Sequence, residues 1–363
     1  MNRHAVAAIM LLVLLLVPCA LMAQTDDATL AKVQQAIQEK GLNWTAGPSI
    51  FTPAEFRARL GMHLTRGANQ VCLPENEMQP MDLPASLNYI ALGDVSAVKN
   101  QAQCGGCWAF AAIGALESAA IREGNYPQSI DLSEQYLLSC DSGEGNCNGA
   151  YDMDQPMAFL CGNGTVDASC DPFRAQLGQE LSCSPCSNAQ QDLYHGAAHG
   201  DVSQAVDALK QGLVTYGPIA TTMEVYQDFM YYTGGVYSYS YGSDEGGHAV
   251  LIVGYDDSGS YFIVKNSWGA SWGDHGYFMI AYSEVTGQSD FGANSTWIQF
   301  GTGPNGQDDD NDDNDNDDND TDNNSDDDTN NGGDDDDDDD SGNGAAPPAK
   351  SVTTTSTTGC GGQ

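Results

Sequence analysis

The sequence predicts an α+β domain in which a helical half faces a strand-rich half across a cleft, and three observations predict it. The run 107–122 holds no proline and places Phe110, Ile113, Gly114 and Ile121 on overlapping faces, the pattern of a mostly buried helix. Beyond residue 210 the apolar residues come instead in short runs, His248 to Tyr255, Tyr261 to Ser267 and Tyr277 to Ala281, separated by Asp-Asp-Ser-Gly and glycine-rich turns. Composition also changes sharply at Leu83-Pro84 and again after Gly303. The stretch 82–303 is long enough for one such domain with its own core.

The segments outside that stretch read differently. Residues 1–23 have the form of an export signal: Arg3 and His4 precede the apolar run Ala5 to Val17, and Ala23 offers a small residue before a cut. The run is too short to span a bilayer, so the expected product is secreted, with a cell-surface or lysosome-like compartment as the alternative. Residues 24–81 are polar, with a helical pattern at Leu30, Val33 and Ile37 followed by Asn43-Trp44-Thr45-Ala46-Gly47. Residues 304–363 collapse to Asp and Asn, then to a Ser/Thr run ending near Cys360; such a composition cannot offset the entropy of ordering.

Charge sets the partners. The net charge is -39, and the stretch 308–340 holds 20 of the 51 acidic residues and no basic one. Nucleic acid is excluded as a partner, because its binding relies on Lys and Arg displacing phosphate counterions. The acidic run supplies hard oxygen ligands suited to Ca²⁺ but lacks the Gly and Glu spacing of a preformed loop, so weak Ca²⁺ binding by an extended spacer is expected. The chain is expected to be a monomer.

The 11 cysteines of an exported chain imply disulfides. Cys19 would leave with the signal. Eight lie between residues 83 and 303: Cys104, Cys107, Cys140, Cys147, Cys161, Cys170, Cys183 and Cys186. With Cys107 kept reduced, one of the remaining seven needs a partner outside the set, and Cys72 or Cys360 could supply it. Cys104-Gly-Gly-Cys107 alone would also fit a redox pair, or half a zinc site with Cys183-Ser-Pro-Cys186. Neither alternative accounts for the Trp-Ala-Phe that follows Cys107, nor for His248 and Asn266.

Those residues form a larger constellation. Gln101 and Cys104-Gly105-Gly106-Cys107-Trp108-Ala109-Phe110 are followed by Leu132-Ser133-Glu134-Gln135, Cys140-Asp141, Cys147-Asn148-Gly149, His248-Ala249-Val250, Asn266-Ser267-Trp268-Gly269, Trp272-Gly273 and Gly276-Tyr277. In this order they resemble the papain family of cysteine proteases over about 83–300, with Gly106 standing where Ser or Ala is usual. The resemblance implies a papain-like two-lobed fold, a helical lobe and an antiparallel β-barrel-like lobe, and hydrolysis of peptide bonds with no cofactor and no metal. It implies Cys107 as nucleophile, His248 as its base, Asn266 orienting His248, Trp268 shielding that contact, and Gln101 as oxyanion donor.

The chemistry agrees with those roles. A thiol with an ordinary pKa near 8.5 needs activation, and a helix N-terminus together with a neighbouring imidazolium supplies it. A hairpin closed between Tyr255 and Tyr261 would carry His248 close to Asn266 on the partner strand. An asparagine there holds the imidazole tautomer without adding charge, and Gln101 with the Cys107 backbone N–H would stabilise a tetrahedral oxyanion. His195, His199 and His275 read as solvated or structural, and His63 lies in the accessory segment.

By the same resemblance Cys104 pairs with Cys147, and Cys140 with Cys183 or Cys186; a Cys161–Cys170 bridge is a further expectation. Another bridge common in the family is missing at both ends, where Gly242 and Phe291 stand. Residues 24–81, through Asn43-Trp44-Thr45-Ala46-Gly47 and Leu60-Gly61, resemble the short propeptide of cathepsin B-like enzymes, which lies through the cleft. No two-histidine loop of the kind that makes cathepsin B an exopeptidase stands between Cys170 and Asp201, which favours an endopeptidase. Gly246-Gly247 implies an uncrowded pocket wall. The alternatives are a catalytically inactive binding or surface protein on this scaffold, and a transpeptidase or ligase using the same acyl-enzyme. Truncation after Gly303 should leave peptide hydrolysis nearly unchanged while altering Ca²⁺ binding or surface retention; assays on the full and truncated chains compare the two.

Overall fold

The computed structural model describes residues 28–65, 82–141 and 145–304. Contacts divide the chain after Gly306, and all that is described lies in the first unit. The export signal, Cys72, the acidic run and Cys360 fall outside the described residues.

The central element is helix α4, Cys107–Glu123, in which every residue from Cys107 to Ala120 is buried. A helix apolar on all sides is stable only when it is surrounded. It packs on the strands of the second lobe and on α5 (Glu134–Cys140) and α6 (Asp154–Gly162) of its own lobe. Ser133 caps α5 by accepting the Tyr136 N–H at 2.9 Å. The next residues of that motif are structural: Gln135 Oε1 accepts the N–H groups of Arg174 and Ala175 at 2.8 and 3.2 Å. The two lobes are joined by one buried cluster of side chains.

The strands are β1 (Trp44–Ala46), β2 (Ser86–Asn88), β3 (His195–Val202), β4 (Ile219–Tyr226), β5 (Tyr232–Tyr237), β6 (Asp244–Asp256), β7 (Tyr261–Lys265), β8 (Tyr277–Ala281) and β9 (Ala293–Thr302). Their order is β1-β5-β8-β7-β6-β4-β9-β3, with β2 paired to β6. The α+β expectation holds. The strand lobe, though, is an open sheet and not a closed barrel, and its β5–β8 pair is parallel. The 13-residue β6 is its spine and pairs with β2, β4 and β7.

The hairpin register differs from the expected one. It closes between Asp256 and Tyr261, and an irregularity between Ile252 and Gly254 shifts the pairing so that Leu251 faces Lys265. The next residue, Asn266, then comes level with Val250, which shares a strand face with His248. The pair meets diagonally, not directly across the ladder.

Residues 28–40 form a helix, α1, and β1 follows it onto the sheet edge, with Trp44 opposite Gly235 and Thr45 opposite Gly234. Trp44 is buried against Tyr232 and Tyr237, at 6.1 and 5.2 Å between rings. A Cβ on Gly235 (φ +85) would lie 2.4 Å from the Asn43 carbonyl oxygen, so only glycine admits the strand. The short α2, Pro53–Arg57, starts from a Thr52–Glu55 capping box, and the short α3, Tyr89–Leu92, from an Asn88 cap.

Three disulfides join Cys104 to Cys147, Cys140 to Cys183 and Cys170 to Cys186. The expected Cys161–Cys170 bridge is absent. Cys161 sits on α6 against β3, 2.8 Å from where a Cβ on Gly196 would stand. Cys170 is instead held to the other loop by the Cys186 N–H to Cys170 carbonyl bond, 3.1 Å, which brings their side chains together. Cys161 and Cys107 are free among the described residues. Alkylation of the unfolded, unreduced chain should therefore label Cys161 but neither Cys170 nor Cys186. Opening that 16-residue loop by Cys186→Ser should lower stability by up to about 3 kcal/mol, read from the urea midpoint.

Candidate active site

Cys107 is the first residue of α4, and Gly106 before it adopts the cap position. The helix N-terminus therefore points its unpaired N–H groups toward the thiol. A Cβ on Gly106 would fit tightly, 3.1 Å from Cys104 Sγ and 3.2 Å from a Leu138 methyl.

His248 lies in β6 and is fully buried. Its Nε2 is 2.8 Å from Asn266 Oδ1, and because a carbonyl oxygen only accepts, Nε2 carries the proton. The neutral ring thus keeps its lone pair on Nδ1, a buried atom with no hydrogen-bond partner among the described residues. Trp268 covers the pair, 4.7 Å from the imidazole. Trp272 and Phe229 pack on Trp268 in turn, at 4.8 and 5.7 Å.

Gln101 is also fully buried. Its Nε2 donates to the carbonyls of Cys104 at 2.7 Å and Arg59 at 2.9 Å, while its Oε1 accepts from the Ser267 hydroxyl at 2.5 Å. Ser267 was not singled out from the sequence as a site residue, although it stands within the quoted Asn-Ser-Trp motif. It also accepts the Gln101 backbone N–H at 2.9 Å and donates its own N–H to Asn266 Oδ1 at 2.8 Å.

The residue before that pair is anchored as well. Lys265 is buried and donates to Ser96 Oγ at 2.9 Å; Ser96 in turn donates to Glu117 at 2.5 Å. Glu117 also meets Lys99 at 2.7 Å, which is shared with Asp131 and Glu134. Burial pushes Glu134 up to about 7, with Lys99 opposing, and pushes Lys265 down to about 8, with Glu117 opposing. Three consecutive residues therefore tie one strand end to a buried ion cluster, to the imidazole and to the glutamine amide.

The cleft is filled by the N-terminal segment. Gly61 lies on Gly105 so closely that a Cβ on Gly61 would fall 1.7 Å from the Gly105 carbonyl oxygen. The Met62 N–H donates to the Gly247 carbonyl at 3.0 Å, Ala150 N–H to the Gly61 carbonyl at 2.8 Å, and His63 N–H to the Ala150 carbonyl at 2.9 Å. Phe56 packs edge-on against Trp268 at 5.4 Å. The Arg59 carbonyl occupies one N–H of Gln101, the group available to an oxyanion.

Covering the cleft changes its electrostatics. Burial pushes the Cys107 thiol up to about 11, although the N–H groups of Ala249, Gly61, Trp108 and Cys107 itself oppose the rise. Burial likewise pushes His248 down to about 4, against the Asn266 hydrogen bond. The covered pair is a neutral thiol and a neutral imidazole.

His195 and His199 lie on β3, remote in sequence and sheet order from β6, and His199 Nδ1 is 3.3 Å from Asp154. His275 is almost fully exposed. His63 approaches the Asn148 carbonyl at 2.9 Å and stacks near Tyr151, so the accessory histidine does touch the cleft wall.

Comparison with known proteins agrees with this arrangement. The model of the papain family cysteine proteases matches residues 83–295. Cathepsin B-like CP3 of Giardia intestinalis is 37% identical over 193 residues, 51% of this chain and 64% of that protein, so the match spans less than two thirds of the relative. A cathepsin L-like protein of Caenorhabditis elegans is 39% identical over 256 residues, 67% of this chain and 72% of the relative. Among solved structures, a procathepsin B of Trypanosoma congolense superposes with TM-score 0.62 at 23% identity, covering 74% of this chain and 97% of that one, a likeness of fold. The digestive procathepsin L 3 of Tenebrio molitor larval midgut gives TM-score 0.62 at 26% identity, covering 77% and 90%.

The hydrogen bond that the Ser267 hydroxyl donates to Gln101 Oε1 leads to a graded expectation. With the segment removed, Gln101→Ala should lower kcat by about a hundredfold or more. Ser267→Ala, which leaves the amide in place but loosens it, should cost about three- to tenfold at unchanged KM. Steady-state kinetics on a peptide substrate separates the two.

Proposed function

Because the chain belongs to the papain family of cysteine proteases, we propose that it is an exported endopeptidase held inactive by its own residues 24–81, with Cys107 as nucleophile. The observation that carries this reading is the course of the segment: Gly61 lies on Gly105, beside Cys107, and Arg59 engages Gln101.

When a substrate enters the uncovered cleft, Nδ1 of His248, a neutral imidazole until then, takes the Cys107 proton, and water returning to the cleft supports the resulting thiolate and imidazolium. The thiolate adds to the substrate carbonyl carbon while Gln101 Nε2 and the Cys107 N–H hold the oxygen. Collapse of that adduct breaks the C–N bond; His248 gives its proton to the departing amine, and a thioester remains. Water, deprotonated by His248, then hydrolyses the thioester and restores the thiol. Asn266 keeps the ring in one tautomer throughout, and Trp268 keeps water off their hydrogen bond.

Endopeptidase action is supported by the positions of His195 and His199 on β3, which leave the Cys170 to Asp201 region with no histidine pair at the cleft. Export is supported by residues 1–23 and by the three disulfides. The acidic tail is proposed as a weak Ca²⁺-binding spacer, by its composition alone.

Acid should favour opening. His248 stands at about 4 when covered and near its ordinary 6.5 when wetted, so the closed form is fully favoured above pH 6.5. Each unit below that point costs the closed form about 1.4 kcal/mol, until pH falls to about 4. The test is labelling by a thiol-directed epoxide. The precursor should react slowly at pH 7 and faster at pH 4.5, the Cys107→Ser precursor should not react, and Gly61→Val, which cannot lie on Gly105, should react at pH 7 without acid. Equal labelling of wild type and Cys107→Ser, or none with the segment removed, would overturn the reading.

A further inference from the structure

Charge is distributed unevenly between the protease domain and the segment that covers it. Residues 82–303 hold 25 carboxylates and only 5 cations. All five cations are spent inside the domain. Lys99 is shared by Glu117, Asp131 and Glu134; Arg122 is held by the Tyr216 carbonyl and Glu123; Arg174 by Asp171; Lys210 by Asp257; and Lys265 is buried on Ser96. The described part of the covering segment has the opposite balance, with Lys32, Lys40, Arg57 and Arg59 against Glu39 and Glu55.

One of those cations meets the cleft directly. Arg57 Nε forms an ion pair with Glu245, whose side chain is only 6% exposed in the covered state. Glu245 opens the run Glu245-Gly246-Gly247-His248 on β6, and the covering segment follows that run. Leu60 lies 3.5 Å from where a Cβ on Gly246 would stand, and Met62 donates to the Gly247 carbonyl at 3.0 Å. At about 3.3 Å per residue, Glu245 stands about 10 Å from His248, the reach of about three extended residues of a bound peptide. When the segment departs, Glu245 loses Arg57, and its remaining partner is the Ser243 hydroxyl at 3.3 Å. A carboxylate in a recess, on the same strand as the Gly247 carbonyl that Met62 vacates and with no spare cation in the domain, is a receptor for an Arg or Lys side chain.

We propose that the protease selects basic peptides, and that Glu245 is a specificity-determining residue that binds a substrate Arg about three residues from the scissile bond, taking the place of Arg57. The inference rests on the protease reading above. The diffuse acidic surface would draw cationic substrates toward the cleft, and Glu245 would fix one residue of them.

The test uses protein from which the segment has been removed, its concentration set by epoxide titration. Peptide sets in which Arg is scanned through every position against Leu are measured for cleavage, and for binding to the Cys107→Ser form. Arg at one position about three residues from the cut should raise kcat/KM at least tenfold over Leu, and Glu245→Gln should reduce that ratio about tenfold, whereas Glu245→Asp should retain part of it. The preference should also weaken with added salt. Cleavage with no position favouring Arg, or a ratio unchanged in Glu245→Gln, would overturn the proposal and leave the protease reading standing. Arg-selective binding lost in Glu245→Gln but without cleavage would support the Glu245 site and overturn the protease reading.

Discussion

The hydrogen bond between His248 and Asn266 is the constraint on which the site depends, because it links a residue in the middle of β6 to one just past the end of β7. It needs both strands in register, and Trp268, laid over it, shields it from water. Each of those conditions draws on a further layer. The register comes from the β6–β7 hairpin and its irregularity near Val253, and Trp268 is held by Trp272 and Phe229. The strand end itself is anchored through Lys265 on Ser96 and the Glu117 cluster beneath. Ser267 extends the same anchor to Gln101, so His248 and Gln101, the proposed base and oxyanion donor, are positioned by adjacent residues of one chain segment.

The covering segment works through the same surfaces. Its backbone bonds with Gly247 and Ala150, its aromatic contact on Trp268 and its carbonyl on Gln101 occupy the groups around Cys107 and His248. The burial that accompanies them moves Cys107 and His248 in opposite directions, and both toward the uncharged form. On the proposed reading, inhibition is therefore electrostatic as well as steric. Glycine at 61 and 235 is what permits the approach, since a side chain at either would collide with backbone across the contact.

Much of the site was legible because its chemistry is written in short local patterns. Cys107 opens a proline-free apolar helix, and the Asn-Ser-Trp-Gly motif directly follows a strand-like apolar run; such local patterns survive folding unchanged. The less legible parts were all matters of relative placement. The partner of Cys170 depends on which of two loops reaches it, and spacing alone could not distinguish Cys161 from Cys186. The hairpin register depended on one irregular residue, which shifts the ladder without leaving a clear composition signal.

The sequence by itself determined the α+β class, the thiol at a helix start, the residue types proposed to react and the presence of a segment carrying Leu60-Gly61, because each follows from residue type and local period. Tertiary structure alone decided that Ser267 holds Gln101, that Cys170 joins Cys186, that Arg57 meets Glu245, and that the strand lobe stays open. Those depend on distances between residues far apart in the chain. Such distances follow from how the helix α4 and the spine β6 pack together, a cooperative outcome of the whole core that no short stretch of sequence carries.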